Sequence, residues 1–253
     1  MSKSLSQAQF GENAAEYLTS KPHAEGKSLD RLVALTRPQP HWHALDVATG
    51  AGHTAYAFAP HVALVWASDI TDEMLGLVRA EVVRRKLGNI RVAHAKAEAL
   101  PFADDGFDLV TCRVAPHHFD SIAAFLDEVR RVLKRDGTFA LVDNVVPAGS
   151  IGDYVNAFER FRDPSHLRAW TVEEWRTALR QHGFDVAHEE VLAKEMDFAY
   201  WAGRHDAVMQ AYLRAMLEHA MPAVKQVLAP QEKNGGLTFR LSEALFITRP
   251  TDG

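Results

Sequence analysis

A chain of 253 residues, 47% hydrophobic and 24% charged, can form one α/β domain with a full core and has an ordinary globular composition. Its formal net charge of −5 provides no global field for nucleic acid or an anionic membrane surface. The one cysteine, Cys112, excludes an internal disulfide and a multi-cysteine metal site. No apolar run approaches the ~18 residues of a membrane span, so a cytoplasmic protein without membrane insertion is expected.

The first forty residues read as helical, with Phe10, Ala14 and Tyr17 on one face. After the break at Arg37-Pro-Gln-Pro40 comes a short strand, Ala44–Val47, then a turn carrying Gly50 and Gly52 and a helix over Thr54–Ala59. A second strand, Val62–Ser68, ends at Asp69. Thr71 reads as the N-cap of a helix that turns Met74, Leu75, Val78 and Val82 inward and stops at Gly88. Strands follow at Ile90–His94, Phe107–Cys112 and Thr138–Val142, with a helix over Ser121–Leu133 capped by Asp120. This alternation predicts a parallel sheet with helices on both faces. Beyond it come a helix at Val172–Gln181, a strand near Phe184–His188, a helical segment from about Asp206 to Leu228 interrupted at Pro222, and a last strand over Leu237–Thr248. The expectation is one domain, 1–253, with helical additions.

The stretch Leu45-Asp46-Val47-Ala48-Thr49-Gly50-Ala51-Gly52-His53 carries the most chemistry. Glycines 50 and 52 permit a tight strand-to-helix turn and a close approach of ligand to backbone. With Ala55 the stretch satisfies G-x-G-x-x-A, so a nicotinamide dehydrogenase is one reading. Asp46 favours another: a carboxylate near the end of strand 1 repels a pyrophosphate but suits an ammonium. Asp69, at the end of strand 2, is placed to accept from ribose hydroxyls, which points to a nucleoside ligand.

These residues, with Asp69-Ile-Thr-Asp-Glu-Met-Leu75, Ala97-Glu-Ala-Leu-Pro-Phe102, Phe107-Asp-Leu-Val110 and Glu128-Val-Arg-Arg-Val-Leu-Lys134, resemble class I S-adenosylmethionine-dependent methyltransferases. The similarity is strongest to the ubiquinone/menaquinone-biosynthesis C-methyltransferase group and related small-molecule enzymes. The resemblance implies a Rossmann-like α/β fold with a mostly parallel seven-stranded sheet and a cofactor-binding core over residues 40–147. It implies that Asp46, Ala48, Gly50, Gly52 and His53 hold the methionine end of the cofactor, and Asp69 its ribose. Ile70 and Met74 would lie along the adenosine, Ala97 and Glu98 at the adenine edge, and Arg113, Val114, Ala115 and His118 near the methyl group. Phe10 and Tyr17 resemble an N-terminal segment that covers the cofactor. One departure stands out: the acidic residue the family often has before Leu-Pro-Phe is replaced within Ala95-Lys96-Ala97. Lys96 cannot accept a hydrogen bond, so adenine must be met by backbone or a neighbour.

Methyl transfer needs alignment and exclusion of water rather than a metal, and a base only where the acceptor must lose a proton. His117, His118 and His166 are the candidate bases. His41 and His43 flank Trp42 at the opposite end of the sheet with no third ligand in sight, so no metal is expected. The acceptor is expected to be a small molecule, roofed by residues 1–39 and 148–236. There Tyr154, Phe158, Arg162, His166, Arg168, Trp170, Trp201 and Arg204 offer an apolar wall with basic anchors, which points to an acidic acceptor. An S-adenosylmethionine-binding regulator without catalysis and an NAD-dependent oxidoreductase are the rival readings. A nucleic-acid methyltransferase is weaker, since Val114-Ala115-Pro116-His117 replaces the Asn/Asp-Pro-Pro-aromatic signature. The oligomeric state has no sequence signal.

Overall fold

The computed structural model describes Leu5, Gln7 and residues 26–233 and 235–251. Five parallel strands form the core of the sheet: β1 (His43–Val47), β2 (Leu64–Asp69), β3 (Ile90–His94), β4 (Phe107–Arg113) and β5 (Leu133–Val145). Two long strands extend it, β6 (Phe184–Asp197) and β8 (Gly236–Pro250), while the three-residue β7 (Gln231–Lys233) pairs only with β8. The order is β3-β2-β1-β4-β5-β8-β6, with β8 antiparallel to both β5 and β6. The seven strands expected from the resemblance make up this path, and β7 is an eighth. Strand order reverses between β1 and β4, and in such open sheets the crevice at this switch point, outside the carboxyl ends of the strands, receives ligands.

Helix α1 (Lys27–Thr36) precedes β1, while α2 (His53–Phe58), α3 (Asp72–Arg85) and α4 (Ile122–Val132) follow β1, β2 and β4. Phe125, Leu126 and Val129 of α4 pack on one sheet face with Leu45, Val110 and Phe139, whereas Leu32 of α1 and Tyr56 and Phe58 of α2 pack on the other with Val65 and Leu109. Burying such side chains is worth roughly 1.5–3 kcal/mol each, so the site above rests on a two-sided core. Cys112 is fully buried in β4, as its apolar neighbours predict.

Several boundaries differ from the sequence expectation. The N-cap of α4 is Ser121, whose hydroxyl accepts the Ala124 N–H at 3.2 Å, and not Asp120. Helix α3 ends on Lys86 in the left-handed region (φ 57°) rather than at Gly88, since the carbonyls of Val82 and Val83 can be capped by any residue that takes that conformation. Val82 is only partly buried, and Glu81 takes the inward place with Arg84 and Arg85 on its carboxylate. Strand β6 runs to Asp197, well beyond His188, because β8 offers it a continuous partner.

The C-terminal third adds α5 (Ser150–Arg162), α6 (Val172–Gln181), α7 (Phe198–Ala202), α8 (Ala207–Glu218) and α9 (Pro222–Leu228). Pro222 opens α9 instead of kinking a longer helix, as its missing N–H allows at a first turn. Phe158, Trp201, Leu213 and Val224 form a third apolar cluster against Phe239 and Leu241 of β8. Helix α6 instead sets Trp175, Ala178 and Leu179 into the first cluster with Phe139 and Phe184.

Candidate active site

The turn after β1 is left-handed at three places, Ala48 (φ 53°), Gly50 (φ 53°) and Gly52 (φ 88°), which folds the chain back sharply into α2. The two glycines serve different ends. A Cβ on Gly50 would meet nothing within 4 Å, so Gly50 leaves open space above the turn; a Cβ on Gly52 would lie 2.5 Å from the Tyr56 ring. Gly52 is therefore a packing requirement of α2, and it does not line the cleft.

Asp69 ties this turn to the end of β2. Its Oδ2 accepts the Gly50 N–H at 2.9 Å and its Oδ1 the Thr71 N–H at 2.9 Å. The carboxylate is 8% exposed. Burial raises its pKa, and the two backbone donors oppose that rise. Each oxygen retains a second lone pair. The Ile70 carbonyl beside it accepts from His94 Nε2 at 2.9 Å and from Gln7 Nε2 at 3.0 Å.

Between these turns and the chain after β4 lies a cleft of about 260 Å³. Of the residues singled out in the sequence, Ala48, Gly50, His53, Asp69, Ile70 and Met74 line it from β1 and β2. Ala97, Glu98, Arg113, Val114, Ala115 and His118 line it from the other side. Val114 is also left-handed (φ 55°), a rare state for a β-branched residue, and its N–H is held by the Val142 carbonyl at 2.7 Å. Arg113 is partly buried, with Nε donating to Thr54 Oγ1 at 3.2 Å, and burial lowers its pKa.

Asp46 is not in the cleft wall. Its oxygens accept the hydroxyls of Thr49 (2.6 Å) and Thr111 (2.7 Å), and burial lifts its pKa to about 6 against those bonds. It braces the turn from below, because the strand alternation that points Val47 to one face turns Asp46 to the other. Phe10 and Tyr17 lie outside the described residues.

Thr71, Phe119 and Asp120, which carry no expected site role in the sequence, also line the cleft, as does Lys96. Lys96 Nζ donates to Asp120 Oδ2 at 2.7 Å, and Glu98 Oε1 accepts the N–H groups of Asp120 (3.0 Å) and Ser121 (3.3 Å). The sequence marks Asp120 only as a helix cap; its position opposite Lys96 depends on the tertiary fold and has no local sequence signal.

The three candidate histidines come together beside the cleft. Ring centroids of His117 and His118 are 4.2 Å apart, and those of His117 and His166 are 5.1 Å apart. A second, smaller chamber of about 80 Å³ is lined by all three and shares Val114 and His118 with the cleft. His117 Nδ1 donates to Asp143 Oδ1 at 2.6 Å, and the carboxylate holds the imidazole's pKa up although burial lowers it. His118 Nδ1 faces the Ser165 carbonyl at 2.9 Å; a carbonyl only accepts, so Nδ1 carries the hydrogen and Nε2 is the acceptor. Burial, with His117 next, takes the His118 pKa down to about 3. His166 Nε2 donates to Asn156 Oδ1 at 2.8 Å, while the Asn156 amide also exchanges bonds with Ala169. His166 lines the smaller chamber and not the cleft, and its pKa falls to about 2, chiefly by burial. Among the described residues no group of three metal-ligating side chains occurs.

Comparison with known proteins decides among the chemistries such a cleft could serve. Residues 45–141 match the family model described as a methyltransferase domain. An uncharacterized methyltransferase of Bacillus subtilis, YcgJ, is 40% identical over 192 residues, 76% of this chain and 75% of its own length. The chain belongs to the methyltransferase-domain family. Its fold agrees: the crystal structure of the Bacillus subtilis YcgJ protein superposes with a TM-score of 0.82 at 31% identity, covering 89% of this chain and 99% of that one. The ubiquinone/menaquinone C-methyltransferase of Zymomonas mobilis is 34% identical over 110 residues, 44% of this chain and 46% of its own. Membership makes this protein an S-adenosylmethionine-dependent methyltransferase and sets aside the oxidoreductase that G-x-G-x-x-A permitted. No helix among the described residues of the methyltransferase is long and apolar enough to cross a membrane.

Proposed function

We propose that the larger cleft holds S-adenosylmethionine and that the methyltransferase passes its methyl group to a small molecule entering beside Val114 and His118. The observation that carries the reading is Asp69. Both of its oxygens fix backbone N–H groups of the turn yet keep lone pairs for two ribose hydroxyls. The open space above Gly50 gives the ligand its approach to the backbone. Arg113 puts a partly buried positive charge on the cleft wall, complementary to the carboxylate of the methionine moiety. Ile70 and Met74 supply an apolar strip for the adenosine. The adenine edge falls to Ala97, Glu98 and Asp120, because Lys96 is held by Asp120.

The cofactor supplies a methyl group activated by its sulfonium. A lone pair of the acceptor forms the new bond to that carbon as the carbon–sulfur bond breaks and its electrons pass to sulfur. The protein's part is to hold the two reactants in line at ~3 Å and to keep water out. His118, neutral across the physiological range and with Nε2 as its acceptor nitrogen, is the group placed to orient an acceptor through a hydrogen bond; a pKa of about 3 makes it a weak base. His117 acts behind it, and His166 fixes the loop after α5 through Asn156. On this reading residues 40–147 bind the cofactor, and residues 1–39 and 148–236 cover the acceptor.

The test is a Gly50→Val variant. A branched side chain at φ 53° both strains the turn and enters the cleft. Its affinity for S-adenosylhomocysteine, measured by calorimetry on folded protein, should fall by about tenfold or more, a loss of ~1.4 kcal/mol. Unchanged affinity would place the ligand elsewhere.

A further inference from the structure

The smaller chamber contains a buried acid, Glu159, whose pKa is raised by burial against the nearby charges of Arg162, His117 and Lys194. Glu159, on α5, lines the chamber, is 8% exposed, and its Oε1 has no hydrogen-bond partner. An unsatisfied buried carboxylate oxygen is costly, and such groups persist where a ligand completes them. Asn144 Oδ1, in the same wall, is likewise without a partner.

The cations in the wall are already engaged. Lys194 pairs with Glu243 at 2.9 Å. Arg162 lies 3.7 Å from Asp163, and its Nε donates to the Trp201 carbonyl at 3.2 Å. Arg204, expected as a substrate anchor, does not line the chamber and bonds instead to Asp163 (3.2 Å) and to the Arg162 carbonyl (2.7 Å). Arg168 is on the surface with Glu174. The basic residues that suggested an acidic acceptor are therefore neutralised by their own fold, and what the chamber offers a visitor is hydrogen-bond acceptors. Met196, Trp201 and Leu241 close it with an apolar wall.

We infer that this chamber anchors the methyl acceptor by a small head group that donates hydrogen bonds, an alcohol or an ammonium, to Glu159, and that it rejects carboxylates and phosphates. At about 80 Å³ it receives a head of a few heavy atoms. The remainder of the acceptor reaches past His118 and Val114, the two residues it shares with the larger cleft, and this part rests on the reading of that cleft as the methyl-donor site. The head sits beside the histidine cluster, so specificity is set on α5 and the loop that follows it, outside the segment matched by the family model.

The experiment uses ethylammonium, ethylene glycol and acetate as probes, followed by ligand-observed NMR with and without S-adenosylhomocysteine. The wild type should bind one or both donor probes in preference to acetate. Glu159→Leu should weaken that binding by about fivefold or more while leaving S-adenosylhomocysteine affinity unchanged. Glu159→Gln keeps an acceptor oxygen but no charge, so it should spare the glycol and release the ammonium, which tells the two heads apart. Melting temperatures of both variants should equal or exceed that of the wild type, because a buried carboxyl oxygen without a hydrogen-bond partner destabilises the empty protein. Acetate binding as well as the donors, no probe binding, or probe binding indifferent to Glu159 would each overturn the inference. A large fall in melting temperature for Glu159→Gln would also overturn it, marking the carboxylate as structural. Failure of wild-type protein to bind S-adenosylhomocysteine would instead defeat the cofactor reading, and the probe measurement made without it would still stand.

Discussion

At the scale of single residues, the turn after β1 separates two roles that glycine can play. Gly50 faces open space and Gly52 faces Tyr56, so their substitutions should fail in different ways. Gly52→Ala should cost about 1–3 kcal/mol of stability through its strained φ and the displaced ring, with little change in S-adenosylhomocysteine affinity for the folded fraction. Combining it with Tyr56→Leu should recover part of that loss, a non-additivity that urea unfolding can measure. Equal stability losses in the single and double variants would show that the ring is not the obstacle. Asp69→Ala should reduce both quantities. It strips acceptors from the Gly50 and Thr71 N–H groups, worth about 1–3 kcal/mol of stability, and on the proposed reading of the cleft it removes the ribose acceptor. A variant that loses stability but binds S-adenosylhomocysteine normally would make Asp69 a brace for the turn and nothing more.

Much of this was legible in the sequence because it is local. Asp69 and Ile70 sit at the end of β2, Gly50 in the turn just past β1 and Met74 in the first turn of α3, all marked by local patterns, and the structure brings them to one cleft. Asp46 shows the limit of such reasoning. Its charge suggested an ammonium ligand, but the side chain points below the turn to Thr49 and Thr111, and the one-residue alternation that decides this is easy to misassign near a strand end. Lys96, Asp120 and Phe119 meet only through the fold.

Among the elements, α5 was the largest omission. Gly149, Gly152 and Pro147 give the stretch the punctuation of a loop. The helix nevertheless forms, and Gly152 is needed inside it because a Cβ there would lie 1.9 Å from the Pro147 carbonyl. Helix α5 carries Asn156 and Glu159, and the loop beyond it brings Leu167 and Arg168 N–H groups onto the His117 carbonyl at 2.9 and 3.2 Å. This docking buries His118 and His166, whose pKa values drop to about 3 and about 2, chiefly by burial. In the unfolded chain both protonate near pH 6.5. Between that value and their folded pKa values the unfolded state binds more protons, so these histidines make stability fall as pH falls, each by up to about 1.4 kcal/mol per pH unit. Asp46 opposes them. Its folded pKa of about 6 exceeds its unfolded one, so its contribution to stability grows as pH falls below about 6. The histidine contribution is isolated by comparing urea unfolding of wild type and His166→Asn from pH 7 down to about pH 5. The variant should show the shallower loss, and identical slopes would mean that His166 protonates in the fold as readily as in the unfolded chain.

Across the whole molecule, the sheet divides the work. Its parallel half, β1 to β5, forms a crevice at the switch point, while β6 and β8 project far enough to support the added helices over the same end. The alternation of strands and helices announced the first half. The second has a period set by long-range pairing between β6 and β8, which no local pattern records, so strand ends and the packing of α5 to α9 could not be read in advance. This arrangement places the two cavities side by side, with Val114 and His118 as their common wall. Donor and acceptor would then meet at residues supplied by the chain after β4.

The most direct test is a crystal structure of the protein with S-adenosylhomocysteine. The account predicts ribose hydroxyls within hydrogen-bond distance of Asp69, the amino-acid end over the Ala48–Gly50 turn, and the sulfur facing the wall formed by Val114 and His118. A ligand bound outside this cleft, or one whose sulfur faces away from that wall, would contradict it.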